Sequence, residues 1–334
     1  MSATTPRASK PQSPQAMSRV RAIGGTKAWT AADMATDDRW IVRADDGLHR
    51  DILRLANWAA ADDAPEQHYV PAAIELPALR AFVGRIRDEL RDGLGIVRVI
   101  GIDPALDDVA LRMVYLALGL EIGEALTNYG RLFDVKDRGE DYRTSAVPVS
   151  MTRESTSFHT DSSARDVEPD EVGLLCLHAA AQGGESLVSS AVTAHDTLLV
   201  EAPQSLTMLY RDYCRDVVTP GSERNLDRIR ENRFPVFRRD DDTLTFRYMR
   251  YWIERAHALI GEPLNDAQTI ALDRLDSALA DPLHVLSFTL QRGEMLWVDN
   301  RSMAHNRSAF VDNPVQPRTM VRMWTAARPT QRDR

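Results

Sequence analysis

Residues 158–190 read FHTDSSARDVEPDEVGLLCLHAAAQGGESLVSS, and this stretch decides how the rest of the chain is interpreted. It begins with a His-x-Asp pair and continues into two short apolar runs, at 172–178 and 186–190. A Gly-Gly pair lies between the runs, as is typical of a tight turn between strands. The stretch therefore predicts strands joined by turns, with polar side chains of chemical interest at its start.

Similar short apolar runs recur towards the C-terminus, separated by Gly, Pro, Asn and Asp. They lie at 244–248, 284–290, 294–298 and 318–325. Short strands at such spacing favour an antiparallel sandwich or barrel. Because side chains alternate along each strand, residues from distant segments can converge in the interior of a barrel.

Helical patterns lie on both sides of these runs. Apolar residues at helical spacing predict an amphipathic helix over 76–92, followed by a core strand at 94–101. Asp103-Pro104 is expected to open a second helix that continues to about Gly119. A further helix, over 263–282, interrupts the later strands. The fold class is α+β, mainly β, with N-terminal helices and a helical insert.

Length and composition suit one large domain. The chain has 334 residues, of which 43% are hydrophobic, enough for a substantial core. Residues 1–28 are rich in Ser, Thr, Pro, Ala and basic residues, so we expect a disordered tail followed by a single domain over 29–334. A formal net charge of -8 argues against a general nucleic-acid binder, which needs a basic face.

Cysteine content and hydropathy indicate the compartment. Cys176 and Cys214 are too few for a disulfide framework, and Cys176 lies in an apolar run, where a buried free thiol is expected. The sequence contains neither a long uncharged apolar segment nor an apolar leader. These features favour a cytoplasmic protein without a membrane span, acting on a small soluble substrate.

The His159-Thr160-Asp161 segment is the first candidate site. Residues two apart on an extended chain point to the same side, so His159 and Asp161 can grip one metal ion. With one more ligand they would form a 2-His-1-carboxylate triad, which leaves positions open for O₂ chemistry on Fe(II). Taken alone the pair is weak evidence, because eight histidines allow chance pairs and a surface turn is the plain alternative.

Three other segments strengthen that interpretation. They are Gly183-Gly184-Glu185-Ser186, then WVDNRSMAHNR over 297–307, then RTMVRMW over 318–324. With these motifs the chain, over roughly 93–325, resembles the taurine dioxygenase/2,4-D dioxygenase (TauD/TfdA) family of Fe(II)- and 2-oxoglutarate-dependent oxygenases. The family order is His-x-Asp/Glu, a Gly-Gly-x-Thr/Ser turn, a distal His and an Arg. Here 24, 118 and 12 residues separate the four parts, as in the family.

The resemblance implies a fold, cofactors and residue roles. The fold would be a double-stranded β-helix, or jelly roll. His159, Asp161 and His305 would hold Fe(II), and Arg318 with Ser186 would bind the distal carboxylate of the cosubstrate 2-oxoglutarate. A buried carboxylate needs a charge partner, and the planar two-donor fork of arginine suits it. The reaction would consume O₂, release succinate and CO₂, and hydroxylate or otherwise oxidise the substrate.

The substrate is predicted less directly. Arg322 lies four residues beyond Arg318 on the same strand face, and taurine dioxygenase has an arginine at this spacing that meets an anionic head group. A small anionic metabolite, such as an amino acid or another organic acid, is therefore expected. Arg247, Arg250 and Glu154 are further candidates for the pocket. The alternative for Arg318 and Arg322 is that the strand is turned and both arginines face solvent.

Other functions remain open at this point. A non-catalytic metal-binding or small-molecule-binding barrel would keep the triad but would not need Ser186 or Arg318. A metallohydrolase would need a general base beside the metal, and none is evident. Halogenation is disfavoured because related halogenases have a small residue at the position of Asp161. The sequence leaves open the identity of the substrate, the outcome of oxidation and whether the protein is a homo-oligomer.

Overall fold

The computed structural model describes residues 20–137, 139, 152–164, 168–216, 225–240 and 243–326. The helices of this part of the chain are α1 (Ala31–Thr36), α2 (Asp46–Ala60), α3 (Pro65–His68), α4 (Pro77–Arg91), α5 (Asp108–Ile122), α6 (Ala191–Glu201), α7 (Pro203–Leu209), α8 (Leu226–Glu231), α9 (Arg250–Ile260) and α10 (Asp266–Ala280). The strands are β1 (Ile41–Arg43), β2 (Ile96–Ile100), β3 (Glu124–Ala125), β4 (Phe133–Val135), β5 (Glu171–His178), β6 (Gln182–Gly183), β7 (Ser186–Ser190), β8 (Asp212–Cys214), β9 (Arg233–Pro235), β10 (Phe237–Asp240), β11 (Thr243–Phe246), β12 (Val285–Phe288), β13 (Met295–Asp299), β14 (Met303–Arg307), β15 (Phe310–Val311) and β16 (Thr319–Ala326).

Two sheets organise the molecule. The larger has the order β1-β2-β13-β5-β16-β3, with β4 also paired to β16. Its β1–β2 pair is parallel and its remaining pairs are antiparallel. The smaller sheet has the order β12-β7-β14 and is antiparallel. Short two-stranded pairs, β6–β15, β8–β9 and β10–β11, complete the strands.

The layers follow from which residues share each buried cluster. One face of the larger sheet packs on α2, α4 and α5. Its other face packs against the smaller sheet, with Val188 and Met303 of the smaller sheet among Val172, Leu296 and Trp324 of the larger one. The far face of the smaller sheet is covered by α6, α7 and α10. The result is a mixed α/β fold in which two facing sheets lie between two helical layers.

Strand β16 determines which side chains enter the space between the sheets. Val321 and Met323 pack on the helical side, whereas Met320 and Trp324 belong to the cluster between the sheets. Residues at even positions therefore face inward, because side chains alternate along a strand. Arg318 and Arg322 are on this inward side, as the alternation in the sequence predicts.

Most of the elements predicted from sequence are confirmed. The 76–92 helix is α4, the 94–101 strand is β2, and the 263–282 helix is α10, capped by the Asn265 side chain, which accepts from the Gln268 amide at 2.9 Å. All six apolar runs contain strands. The helix expected from Asp103 is wrong at its start. Asp107 caps α5 by accepting from the Ala110 amide, so the preceding residues form a turn instead.

The N-terminal segment joins the folded body earlier than the expected boundary at residue 28. The Ile23 amide donates to Asp196 at 2.9 Å, and the Lys27 Nζ donates to Asp299 at 2.5 Å. Residues 1–19 lie outside the described part of the chain. Among the helices that the structure describes, none has the length and apolar character to cross a membrane.

Candidate active site

The three predicted metal ligands converge at one point between the sheets. The ligand atoms of His159, Asp161 and His305 all lie within 4.8 Å of one another. Nε2 of His159 is 3.7 Å and Nε2 of His305 is 3.6 Å from Oδ1 of Asp161. The arrangement brings together two imidazole nitrogens and one carboxylate oxygen, which is a facial triad in composition.

Backbone pairing holds the two histidines together. The amides and carbonyls of His159 and His305 exchange hydrogen bonds at 3.0 and 2.9 Å, and their ring centroids are 4.5 Å apart. Nδ1 of His159 lies 2.9 Å from the Ser157 carbonyl, to which it donates when Nε2 is unprotonated. Burial, with the proximity of His159, lowers the pKa of His305, so its ring stays neutral as metal binding requires.

Asn300 fixes the backbone of Asp161. The Asp161 amide donates to Oδ1 of Asn300 at 2.8 Å, and Nδ2 of Asn300 donates to the carbonyls of Asp161 and Pro169, each at 3.1 Å. Ser157 and Ser162, on either side of the His-x-Asp segment, adopt left-handed φ values of 58° and 57°. Non-glycine residues rarely adopt this conformation, so the segment is held in place by its surroundings.

The Asp161 carboxylate is kept charged by its neighbours. The Trp324 indole donates to Oδ2 at 2.6 Å, and Nη1 of Arg322 lies 3.3 Å from the same oxygen. Burial alone would raise the pKa of Asp161. The charge of Arg322 and the two histidines outweigh burial and hold this pKa well below its usual range. Asp161 is therefore ready to bind a cation.

Arg318 presents a buried donor close to the Gly-Gly turn. Its side chain is 4% exposed, and its Nη1 has no hydrogen-bond partner among the residues that the structure describes. Burial lowers the pKa of Arg318 to about 10, so it is still a cation at neutral pH. Gly184 has a φ of +74°, and a Cβ there would come within 3.2 Å of Nε of Arg318. The turn thus needs glycine both for its backbone conformation and for the approach of this guanidinium.

Ser186 is the first residue of β7, two positions after Gly184. It is 6% exposed, and in the ladder it lies opposite Arg307 of β14 and Phe288 of β12. Its position on the buried face of the smaller sheet is compatible with the predicted contact to a cosubstrate carboxylate.

The residues fit Fe(II) and 2-oxoglutarate. Two imidazoles and one carboxylate form the donor set typical of non-haem Fe(II) sites with open positions. A buried guanidinium donor without a partner in the described part of the chain is costly unless an anion meets it. The distal carboxylate of 2-oxoglutarate would supply that anion.

Arg322 connects the triad to an aromatic cavity. Its guanidinium carbon lies 4.6 Å from the centroid of Trp324 and 5.2 Å from that of Phe133. These residues, with Leu126, Tyr129, Gly130 and Arg131, line about 210 Å³ of empty space, open solvent included. The arginine therefore lies beside both the proposed metal site and this aromatic-lined space.

The other predicted substrate residues are engaged elsewhere or exposed. Arg247 forms an ion pair with Glu168 at 2.9 Å and stacks on Phe234 at 3.7 Å. Arg250 begins α9 and pairs with Glu254 and with acidic residues of α10. Glu154 is exposed, with its carbonyl turned towards Arg307. Residues 247–252 form the junction between β11 and α9.

Sequence reasoning did not assign three residues of this site. The three residues are Asn300, Trp324 and Arg307. Their positions in the WVDNRSMAHNR and RTMVRMW motifs offered a signal. Their partners are far away in the chain, however, so the signal did not reveal what each side chain contacts.

Comparison with known proteins agrees with this geometry. The family model of the taurine catabolism dioxygenase TauD, TfdA family matches residues 62–324. The chain belongs to this family. The matched range contains His159, Asp161, the Gly183-Gly184 turn, His305 and Arg318.

Relatives extend over most of the chain. FR-33289 synthase of Streptomyces rubellomurinus (strain ATCC 31215) is 27% identical over 316 residues, covering 90% of this chain and 89% of that protein. Gamma-butyrobetaine dioxygenase of Pseudomonas sp. (strain AK-1) is 27% identical, covering 84% of this chain and 74% of that protein. The structure of asparagine oxygenase with Fe(II), 2S,3S-3-hydroxyasparagine and succinate shares the fold, with a TM-score of 0.59, 19% identity and coverage of 86% and 93%.

Membership in the TauD/TfdA family identifies the reaction class. The protein is an Fe(II)- and 2-oxoglutarate-dependent dioxygenase, an oxidoreductase that uses O₂. The resemblance seen in the sequence is confirmed over a longer range than the 93–325 expected, since the match begins at residue 62.

Proposed function

We propose that this dioxygenase hydroxylates a small anionic metabolite, an amino acid or another organic acid, with release of succinate and CO₂. The observation that carries the proposal is the position of Arg322. Its guanidinium lies between Asp161 of the triad and the aromatic cavity lined by Tyr129, Phe133 and Trp324. An anionic group in that cavity would meet a cation beside the reacting centre.

Each polar residue of the site has a proposed role. His159, Asp161 and His305 hold Fe(II), which when bound supplies the activation of O₂. Arg318 and Ser186 bind the distal carboxylate of 2-oxoglutarate, the arginine by charge and paired donors and the serine by its hydroxyl. The aromatic residues beside Arg322 exclude water from the substrate and strengthen its interaction with the arginine.

The proposal also covers the fold and the extent of the domain. The facing sheets are the two halves of a double-stranded β-helix, and the predicted single domain of 29–334, with N-terminal helices and a helical insert, is extended at its start by the contacts of Ile23 and Lys27. The cluster that joins the two sheets supports this arrangement, as does the pairing of His159 with His305 across it.

Relatives support an anionic substrate. Gamma-butyrobetaine and asparagine, named in two of them, are both small molecules that carry a carboxylate. Of the four candidate substrate residues, Arg322 is the one that faces the cavity. Arg247 and Arg250 are not among the residues that line it. We therefore base the prediction of a small anionic substrate on Arg322.

Removal of a metal ligand tests the reaction class. His159→Ala and Asp161→Ala are each expected to abolish 2-oxoglutarate turnover, because two ligands do not hold Fe(II) in facial geometry. Succinate release in the presence of a screened panel of amino acids and other small acids is the measurement. His49→Ala, on the exposed face of α2, is the matched control and should retain turnover. Full activity in either ligand variant contradicts the assignment of the metal site.

Arg322 is tested with the best acid from that screen. Arg322→Gln should raise the substrate KM by roughly 30-fold or more, as expected when one partner of a buried charge pair is removed, while the affinity for 2-oxoglutarate changes little. An unchanged KM, or a best substrate without an anionic group, excludes this role for Arg322.

A further inference from the structure

A short segment before the first histidine ligand lies along the strand of the second. We name residues 152–157 the strap. The Phe310 amide donates to the Arg153 carbonyl at 3.3 Å, and the Arg307 amide lies 3.3 Å from Oγ1 of Thr156. Oγ1 of Thr156 donates in turn to Asn306 at 3.0 Å. The strap is therefore attached to β14 and β15, and it leads directly into His159.

Arg307 makes the main side-chain contacts to the strap. Its side chain is buried, at 8% exposure, and its Nη2 donates to the carbonyls of Thr152, at 2.7 Å, and Glu154. Its Nε has no hydrogen-bond partner in the described part of the chain. One guanidinium nitrogen thus holds two carbonyls of the strap, and without it both would lose a charged donor.

The same guanidinium is next to the cosubstrate arginine. The guanidinium carbons of Arg307 and Arg318 lie 4.7 and 5.1 Å from the centroid of the Phe310 ring. Burial, followed by the charge of Arg318, lowers the pKa of Arg307 to about 10. The carboxylates that oppose these effects are Asp137, Glu154 and Asp312, and of these Asp312 acts on both arginines.

Two buried cations around one aromatic ring repel each other, and Asp312 is the carboxylate that acts on both of them. A carboxylate bound at Arg318 would reduce this repulsion and allow Arg307 to remain at the Phe310 ring with its donors on the strap. Conversely, a strap held by Arg307 keeps Phe310 in place beside Arg318. Binding of the anion and ordering of the strap therefore favour each other.

We infer that Arg307 is a positioning residue that couples binding of 2-oxoglutarate at Arg318 to the strap that leads into His159. The inference rests on the proposed role of Arg318. Arg307 acts through Phe310 and through the backbone of the strap, and it touches neither the substrate nor the metal. Its predicted effect is on how well the cosubstrate pocket and the first histidine ligand are organised together.

Equilibrium binding gives the first test. 2-Oxoglutarate is titrated anaerobically into the Fe(II)-loaded enzyme, and the weak visible charge-transfer band of the chelate is measured. Arg307→Gln should weaken binding by roughly 5- to 150-fold, the usual range for coupled sites. Arg307→Lys should recover little of this, because lysine keeps the charge but lacks the fork. The matched control is Arg292→Gln, which also removes donors to backbone carbonyls, those of Pro104, Leu106 and Leu177.

Hydrogen exchange gives a readout that a merely structural role would not change. In the wild-type enzyme, adding 2-oxoglutarate should slow amide exchange in peptides that cover the strap and 305–310. In Arg307→Gln the basal exchange there should be faster, and 2-oxoglutarate should no longer slow it. Phe310→Leu, which keeps an apolar side chain but removes the shared ring, should also lose the response. This second variant provides the test if Arg307→Gln does not fold.

The outcomes separate this inference from the proposed function. If Arg318→Gln binds 2-oxoglutarate as tightly as the wild type, the proposed cosubstrate site fails, and the coupling fails with it. If Arg318→Gln weakens binding but Arg307→Gln does not, the cosubstrate site stands and the role of Arg307 is refuted. Full recovery in Arg307→Lys, or an unchanged exchange response in either Arg307→Gln or Phe310→Leu, also overturns it.

Discussion

Asn300 is the residue whose replacement tests most directly how the metal site is held. It is fully buried, and its side chain makes three hydrogen bonds, all to backbone groups of Asp161 and Pro169. A typical intramolecular hydrogen bond contributes about 1 kcal/mol net, so removing all three in Asn300→Ala should lower the free energy of unfolding by about 3 kcal/mol. Urea denaturation followed by circular dichroism measures this loss.

The functional consequence is expected at Asp161. Once its amide and carbonyl are no longer clamped, the carboxylate keeps its charge but loses its fixed direction. Loss of such outer contacts typically weakens metal binding by roughly 10- to 100-fold. Anaerobic titration of Fe(II) against a chromophoric chelator measures the affinity. Asn300→Asp keeps an acceptor for the Asp161 amide but removes both donors, so it should also bind the metal more weakly.

A matched control separates stability from metal binding. Asn265 caps α10 by accepting from the Gln268 amide, outside the triad. Asn265→Ala should cost about 1 kcal/mol of stability, as caps do, and leave Fe(II) affinity unchanged. If Asn300→Ala binds Fe(II) as tightly as the wild type, or if Asn265→Ala weakens binding to the same extent, the clamp does not orient Asp161 and the reasoning is refuted.

Two further predictions follow from buried charges. Arg318→Ala should weaken 2-oxoglutarate binding by roughly 30- to 3000-fold in an anaerobic titration, because one partner of a buried charge pair is lost. Arg318→Lys should recover part of the affinity. An unchanged affinity in Arg318→Ala contradicts the role of Arg318 in binding the cosubstrate. Burial raises the pKa of Glu171 from 4.5 to about 7, because the folded state favours the protonated carboxyl group. The contribution of the protonated group to the free energy of unfolding is fully present below pH 4.5 and is lost as the pH rises through 7. Glu171→Gln should therefore raise the free energy of unfolding by roughly 1–3 kcal/mol at pH 8 and change it little at pH 4; equal effects at both pH values would falsify the assignment.

Much of the fold follows from local regularities in the chain. The apolar spacing of Leu79, Phe82, Val83, Ile86 and Leu90 predicts α4, and all five of these residues are buried. The same signal is present in α2, where Leu48, Ile52, Leu55 and Ala59 are buried at helical spacing. The predicted start of α5 is wrong because Asp103 and Asp107 are both residues that cap helices well, and the sequence pattern alone does not choose between them.

Part of the candidate site also follows from local patterns in the chain. Alternation along a strand was enough to place His159 with Asp161 and Arg318 with Arg322, since residues two or four apart share a side wherever the strand lies. The motif spacing added His305 through the family resemblance. These features depend on short-range geometry and on the order of motifs along the chain. Both can be read from the sequence, so these residues could be predicted.

Only the tertiary structure decided which side chains support the site. Asn300 meets Asp161 across 139 positions of the chain, and Arg307 meets Thr152 across 155. The structure also placed Arg322 against Asp161 and turned Arg250 towards the carboxylates of α10. Such contacts depend on how the two sheets and their helices pack. A local pattern indicates which face a residue occupies, but its partner on the opposite face is set by the arrangement of the whole chain.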